Sequence, residues 1–167
     1  MGRYVNPGNQ AFKRIAGSDY VDKTELISLM NDRVDGGDCL VCVSRPRRFG
    51  KSYAAKMLAA YYDCSCDSHV LFDDKKIAGT PDYEKFMNQY HVICLDISGF
   101  TSYARREKIQ FSDIPSSIAE SIKEEILAID PKVPVLLEKN IGCGIADQLH
   151  QHGFWRRPGN GGAAYCG

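Results

Sequence analysis

The chain has 167 residues, of which 44% are hydrophobic and 25% charged, as in one soluble globular domain. Its 21 lysines and arginines balance its 21 aspartates and glutamates, which excludes an overall electropositive field for nucleic acid or an anionic membrane. The sequence contains no signal segment and no apolar stretch near the roughly 20 residues that span a bilayer, so we predict a cytoplasmic protein with no membrane partner.

The first half of the chain predicts helix, strand and helix in that order. Asp22 followed by Glu25 forms a capping-box-like start for the first of these helices. Residues 39–43 are a short continuous apolar run, which is typical of a buried parallel strand. Residues 52–62 are rich in alanine and leucine and predict an amphipathic helix.

The second half continues the alternation. A threonine cap followed by proline predicts a short helix over residues 80–87, and residues 91–96 predict a second buried strand. Isoleucines recur at helical spacing over 114–129, and Pro131 ends that helix. Residues 133–137 predict at most an edge strand, because a proline interrupts them. Together these elements predict an α/β fold, a P-loop NTPase-like parallel sheet flanked by helices and incomplete at its C-terminus.

The predicted domain covers residues 1–150, and residues 151–167 form a tail of different composition. The tail is rich in glycine and has neither helical nor strand periodicity. We therefore predict that it is disordered or does not belong to the domain.

Seven cysteines without an export signal indicate reduced thiols rather than a disulfide framework. Two groups contain metal-binding residue types: Cys64, Cys66 and His69, and then Cys143, His150, His152 and Cys166. Neither group has the paired C-x-x-C spacing of a structural zinc site. We interpret both as core or solvated residues rather than as metal ligands.

The chemistry of the chain is concentrated in residues 44–52, which read SRPRRFGKS and are called the basic loop below. The phosphate-binding template G-x-x-x-x-G-K-[ST] matches at Gly50, Lys51 and Ser52, and Arg45 occupies the position of its first glycine. Glycine lets the backbone approach phosphate oxygens, and the N–H groups at the start of the following helix point at the anion. Lysine then reaches the β and γ phosphates and the serine hydroxyl binds Mg²⁺. The alternative is a chance Gly-Lys-Ser on a solvated surface.

The basic loop, preceded by YVDKT at residues 20–24 and followed by LDIS at 95–98, resembles the bacterial family of AAA-ATPase-like proteins. The resemblance covers roughly residues 3–130 and implies ATP binding in a P-loop fold, with Mg²⁺, and an arginine at position 45 as the family's own variant. Longer members resemble fusions to a nuclease-like domain. The nucleotide-binding residues that it implies are Arg45, Pro46, Arg47, Arg48, Phe49, Gly50, Lys51 and Ser52.

The sequence departs from the family downstream of these motifs. No segment matches the later Walker B strand that holds Mg²⁺ and positions water, so we expect a truncated form that binds ATP and leave its hydrolysis open. Asp96 has the minimal Walker B shape of four apolar residues and a carboxylate. It therefore predicts either a second Mg²⁺ contact beside Ser52 or a cap for the segment that follows.

Two alternative interpretations remain. In the first, the chain is a nucleic-acid-binding module that needs no ATP and uses Arg45, Arg47, Arg48, Lys51 and Lys56 as an anion patch. The zero net charge and the near absence of aromatics among these residues weigh against it. In the second, the fragment is inert because its sheet is too incomplete to fold. The oligomeric state stays open.

Overall fold

The computed structural model describes residues 2–34 and 41–132, and in these ranges the chain is mainly helical. The α-helices are α1 (Gln10–Ala16), α2 (Glu25–Val34), α3 (Lys51–Tyr62), α4 (His69–Phe72), α5 (Tyr83–Phe86), α6 (Ile97–Arg106) and α7 (Ile114–Ile129). Two short 3₁₀ helices cover Lys76–Gly79 and Phe111–Asp113. No helix of the described ranges is long and apolar enough to cross a membrane.

The predicted parallel sheet is wrong for the part of the chain that the structure describes. That part holds no strand or sheet and pairs its extended segments only through isolated bridges, Val5 with Ile93 antiparallel and Asp63 with Tyr90 parallel. A strand persists only where a neighbouring backbone supplies hydrogen-bond partners along its length. Here each pairing stops after a single bridge.

Both predicted strands illustrate this correction. Residues 41–43 lack regular structure, and Val41 and Val43 are 45% and 48% exposed. The rest of that predicted strand, residues 39 and 40, lies outside the described residues. Residues 92–94 run beside residues 4–6, with the N–H of Cys94 donating to Tyr4 at 2.9 Å. An apolar run of five residues fits several environments, and periodicity alone cannot choose among them.

The predicted helices are confirmed. α3 and α7 lie within a residue of the predicted bounds, and α7 buries the isoleucine face that predicted it, with Ile118, Ile122 and Ile126 inside. Of the short helix predicted over residues 80–87, Tyr83–Phe86 is helical and forms α5. α1 and α6 were not predicted, because α1 has only seven residues and α6 contains glycine, serine and threonine, which lower helix propensity.

The buried side chains form two clusters. The larger one packs helices α1 to α5 around α3, and it contains Phe12, Ile15, Ile27, Met57, Ala60, Tyr61, Phe72, Ile77, Tyr83, Phe86, Met87 and Tyr90. The smaller one joins α6 and α7 to the N-terminal segment, and it contains Tyr4, Val5, Phe100, Ala104, Ile114, Ile118, Ala119, Ile122 and Ile126. The basic loop lies next to the larger cluster, because α3 follows it directly.

Residues 3–9 connect the two clusters. The Glu125 carboxylate on α7 accepts hydrogen bonds from the N–H groups of Arg3, Tyr4 and Val5, at 3.0, 2.9 and 2.7 Å. A few residues later, Gly8 donates its N–H to the buried Asp63 carboxylate at the end of α3, at 2.6 Å. Two carboxylates thus hold one extended segment against both parts of the core.

Several predictions lie outside the described residues. These are the strand at 133–137, the domain boundary at 150, the tail over 151–167 and the second group of cysteines and histidines. They stay predictions.

Candidate functional site

The basic loop is exposed up to Phe49 and becomes half-buried at Gly50, where α3 begins. Gly50 has φ +80° in the left-handed region, which glycine adopts without a steric penalty. Arg48 has φ +68°, an unusual conformation for a residue with a side chain. The two left-handed residues turn the exposed loop into the first turn of the helix.

The N-terminus of α3 presents free backbone donors. The first bond of the helix runs from the N–H of Ala54 to the carbonyl of Gly50, and no side chain caps the helix. Within the described ranges, no acceptor pairs with the N–H groups of residues 51–53. Such donors, together with the positive end of the helix dipole, favour an anion at this position.

Lys51 folds back over the loop that precedes it. Its ammonium donates to the carbonyl of Pro46 at 3.0 Å and also to the carbonyl of Arg45. The positive charge is therefore held over residues 45 and 46 of the basic loop, on an exposed surface. Neutral carbonyls are weaker partners for an ammonium than a charged oxygen is, so an arriving anion can replace them.

A second ammonium lies beside the loop. The Nζ of Lys23 is 3.8 Å from the point where a Cβ would stand on Gly50. The candidate residues from the basic loop do not include Lys23, although its VDK segment is part of the family resemblance. Tertiary packing brings Lys23 close to Gly50. The positions of these two residues along the chain do not predict this.

Asp22 fixes the backbone around Lys23. Its carboxylate accepts hydrogen bonds from the N–H and hydroxyl of Thr24, at 2.9 and 2.7 Å, and from the N–H of Lys76 at 2.9 Å. Burial alone would raise the pKa of the Asp22 carboxyl, but the bonds from Lys76 and Thr24 outweigh burial and lower it. Asp22 therefore fixes the turn before α2 and does not cap the helix, because α2 begins at Glu25 and none of the hydrogen bonds of Asp22 comes from the N–H groups of that helix.

The predicted nucleotide residues stay together on one surface, because they are consecutive and lead into α3. The arginines at 45, 47 and 48 are exposed, and the Ser52 hydroxyl lies in the exposed first turn of the helix. A cavity of about 300 Å³ opens beside this surface, lined in part by Lys23, Arg48 and Gly50.

Asp96 caps α6. Its carboxylate accepts hydrogen bonds from the Ser98 N–H at 3.0 Å, from the Gly99 N–H at 3.2 Å and from the Ser98 hydroxyl. The Ser98 hydroxyl first, and then the Gly99 N–H, lower the pKa of the Asp96 carboxyl. The capping role predicted from sequence is therefore present, whereas its Mg²⁺ role stays a prediction. Asp96 shares a cavity of about 300 Å³ with Lys56, which lies one turn after Ser52 on α3.

Cys66 and His69, from the first group of metal-binding residue types, contact different residues. Cys66 contacts the Asp63 carbonyl and the Ser68 hydroxyl, and burial raises the pKa of its thiol. His69 faces the carboxylates of Asp73 and Glu84. Among the described residues, no group of three or more histidine, cysteine, aspartate or glutamate side chains could hold a metal ion. A Mg²⁺ ion that takes most of its oxygens from phosphate and water still fits the Ser52 hydroxyl.

Comparison with known proteins yields one family. A family model described as a predicted AAA-ATPase matches residues 7–140 of this chain. The matched range includes the VDK segment, the basic loop and Asp96. No curated protein matches the chain, and no solved structure matches it either.

Proposed function

The chain belongs to the AAA-ATPase-like family, and from this premise we propose that it binds ATP with Mg²⁺ through residues 45–52. The observation that carries the proposal is the start of α3, where free N–H groups, a left-handed glycine and two lysine ammonium groups meet. Each of these features attracts a polyphosphate.

The proposed binding step exchanges partners of Lys51. Its ammonium leaves the carbonyls of Arg45 and Pro46 and takes phosphate oxygens, which are charged and form stronger hydrogen bonds. The N–H groups of residues 51–53 receive a phosphate without displacing any bond within the described structure. Lys23 neutralises a further part of the triphosphate charge from the other side of Gly50.

The arginines of the basic loop have a supporting role in this proposal. Arg45, Arg47 and Arg48 are exposed and carry permanent positive charge, so they raise the local concentration of an anionic nucleotide. Arg48 also lines the cavity beside Gly50, which brings its charge close to the bound phosphates.

Mg²⁺ would be held by the hydroxyl of Ser52, together with phosphate oxygens and water. When bound, the ion neutralises charge on the β and γ phosphates. Asp96 is the proposed second protein contact, because its cavity opens beside the helix that carries Ser52. We also propose a cytoplasmic location, where ATP is available and thiols such as Cys42 and Cys94 remain reduced.

Calorimetry with Mg-ATP on the intact chain and on Lys51→Ala tests the proposal. We expect the variant to bind ATP about tenfold more weakly or not at all, since it loses charge-assisted hydrogen bonds. Lys13→Ala is the matched control, because Lys13 is an exposed lysine on α1 and does not line the cavity beside the loop. Absence of binding by a folded wild-type chain would refute the proposal.

The alternative, a nucleic-acid-binding module, predicts a different binding result for the wild-type chain. A module that uses the basic loop as an anion patch binds DNA without Mg-ATP, with an affinity that falls steeply as salt increases. Fluorescence anisotropy with labelled single-stranded and double-stranded DNA at two salt concentrations measures this directly. Tight, ATP-independent DNA binding without ATP binding would replace the proposed function by the alternative.

A further inference from the structure

The cavity that contains Asp96 and Lys56 lies between parts of the two hydrophobic clusters, and it shares no lining residue with the cavity beside Gly50. Helices α1 and α3 line it, and so do the N-terminal segment and α6, through Tyr4 and Phe100 of the smaller cluster. Its volume of about 300 Å³ is at the small end of the range for ligand pockets. A small molecule bound there contacts elements of both clusters.

The lining of this cavity is mainly apolar. Tyr4 and Phe100 are buried, and their rings stack with 4.9 Å between centroids. Pro7, Ala11 and Ala59 also line the cavity. Apolar and aromatic walls of this kind favour the hydrocarbon part of a ligand. We therefore expect a ligand with an apolar body.

Two cations line the same cavity without forming an ion pair. The Arg3 guanidinium lies 5.1 Å from the centroid of the Tyr4 ring. The Lys56 ammonium is close enough to the Cys94 thiol and the Asp96 carboxyl to favour their charged forms. Within residues 2–34 and 41–132, neither cation forms a side-chain hydrogen bond or an ion pair. Both are therefore available to an anionic ligand.

The net charge of the lining is positive. The pKa of the Asp96 carboxyl is lowered, first by the Ser98 hydroxyl, so Asp96 is ionised at neutral pH. Burial raises the pKa of the Cys94 thiol, which therefore stays neutral. The charges of Arg3 and Lys56 together outweigh the single charge of Asp96. A ligand with one anionic group balances this lining.

Hydrogen bonds hold part of the lining in place before any ligand enters. The N–H groups of Arg3 and Tyr4 donate to the Glu125 carboxylate at 3.0 and 2.9 Å. Gly8, which also lines the cavity, donates its N–H to the Asp63 carboxylate at 2.6 Å. A lining that is formed in advance lowers the ordering cost of binding.

We propose that this cavity binds a small monocarboxylate with an apolar body. The carboxylate lies between the Arg3 guanidinium and the Lys56 ammonium, since a guanidinium forms paired hydrogen bonds with a carboxylate. The apolar body packs beside Tyr4 and Phe100. Asp96 disfavours a polyphosphate here, because its charge repels further negative charge. The site is therefore different from the basic loop, and its occupation does not require ATP binding there.

Calorimetry with phenylacetate, hexanoate and the neutral phenylacetamide tests the proposal on the intact chain in the absence of nucleotide. The two carboxylates should bind about tenfold more tightly than the amide, because only they form charge-assisted hydrogen bonds. Arg3→Ala and Lys56→Ala should each weaken phenylacetate binding about tenfold. Both side chains are exposed, so these variants are expected to fold. Lys13→Ala is the matched control, because Lys13 is exposed on α1 and does not line the cavity.

A substitution that fills the cavity gives a second test without removing a charge. Ala11 is exposed on α1 and lines the cavity, so Ala11→Leu should block phenylacetate binding while keeping the helix. Ala55→Leu is its control, since Ala55 is exposed on α3 and does not line the cavity. Unchanged phenylacetate affinity in folded Ala11→Leu would contradict this location of the ligand.

The proposal is wrong if the amide binds as tightly as the carboxylates, since the cations then have no part in recognition. It is also wrong if Lys51→Ala removes phenylacetate binding and Arg3→Ala does not, because the carboxylate then lies at the basic loop. Failure of both carboxylates to bind the folded wild-type chain at about 10 mM would refute it as well. None of these results bears on the ATP proposal, because no nucleotide is present in the measurements.

Discussion

Gly50 is the residue on which the geometry of the proposed phosphate site depends most. Its left-handed conformation ends the loop and begins α3, and any other L-residue is strained there. Space is not the constraint, because an added Cβ would make only ordinary contact with Lys23 at 3.8 Å. The sequence predicted this glycine for the close approach of phosphate, which stays a prediction, whereas the left-handed conformation is a local requirement that the structure adds.

We expect Gly50→Ala to destabilise the chain by about 1 kcal/mol through backbone strain. The variant should also weaken ATP binding, because relief of the strain moves the N–H groups that begin α3. Urea denaturation followed by calorimetry measures both effects.

Gly79→Ala is the control for this substitution. Gly79 lies at the end of a 3₁₀ helix, and an added Cβ there meets no atom within 4 Å. Alanine at such a site is neutral or slightly stabilising, because it restricts the unfolded chain. Equal stability of the two variants would contradict the argument from φ at position 50.

At the scale of elements, α6 depends on one carboxylate. Asp96 accepts the N–H groups of Ser98 and Gly99 at the start of this helix, so the same side chain that has a Walker B shape in sequence acts as a cap in the structure. The sequence predicted either a Mg²⁺ contact or a helix cap for Asp96, and nothing in it favoured one of these two roles. The helix itself was missed, because its serine, threonine and glycine residues lower its propensity.

We expect Asp96→Ala to cost about 1 kcal/mol of stability at neutral pH, as is typical for loss of a helix cap. Asp96→Asn should cost less, because asparagine caps nearly as well. The pKa of the Asp96 carboxyl is lowered in the folded chain, so the cap stabilises the chain above the ordinary aspartate pKa. This stabilisation is lost as the pH falls through the lowered value. Thermal denaturation from neutral to strongly acidic pH should therefore show the difference between wild type and Asp96→Ala disappearing.

Asp96→Asn also separates the cap from the proposed metal contact. If Asp96 binds Mg²⁺, the asparagine variant keeps its stability but binds Mg-ATP more weakly than wild type does. If it acts only as a cap, Mg-ATP binding is unchanged. A stability difference between wild type and Asp96→Ala that stays constant with pH would contradict the capping account.

At the scale of the whole molecule, residues 3–9 hold the two hydrophobic clusters together. The N–H groups of Arg3, Tyr4 and Val5 donate to Glu125 of α7, and that of Gly8 donates to Asp63 at the end of α3, more than fifty residues away in either case. The predicted α/β fold would have bonded such donors to neighbouring strands. In the described chain, two carboxylates accept four of these donors, and only the N–H of Asn6 donates to a neighbouring backbone carbonyl, that of Val92.

Glu125→Ala should therefore destabilise the chain by about 2 kcal/mol, because three N–H groups lose a charged acceptor. Glu124→Ala is the matched control, since Glu124 is the exposed neighbour on the same helix. Urea denaturation of both variants measures the difference. Equal urea midpoints for the two variants would mean that the hydrogen bonds from the N-terminal segment to Glu125 contribute little to stability.

The sequence by itself determined the family, the basic loop, the helix that follows it and the isoleucine face of α7. These features follow from local requirements, namely a glycine with positive φ and apolar residues at helical spacing. Tertiary structure alone decided that the apolar runs at 41–43 and 91–96 form no sheet in the described residues, and that Lys23 lies beside Gly50. Strand pairing and cavity walls depend on partners that are distant along the chain, and the residues of one segment do not encode which partner arrives.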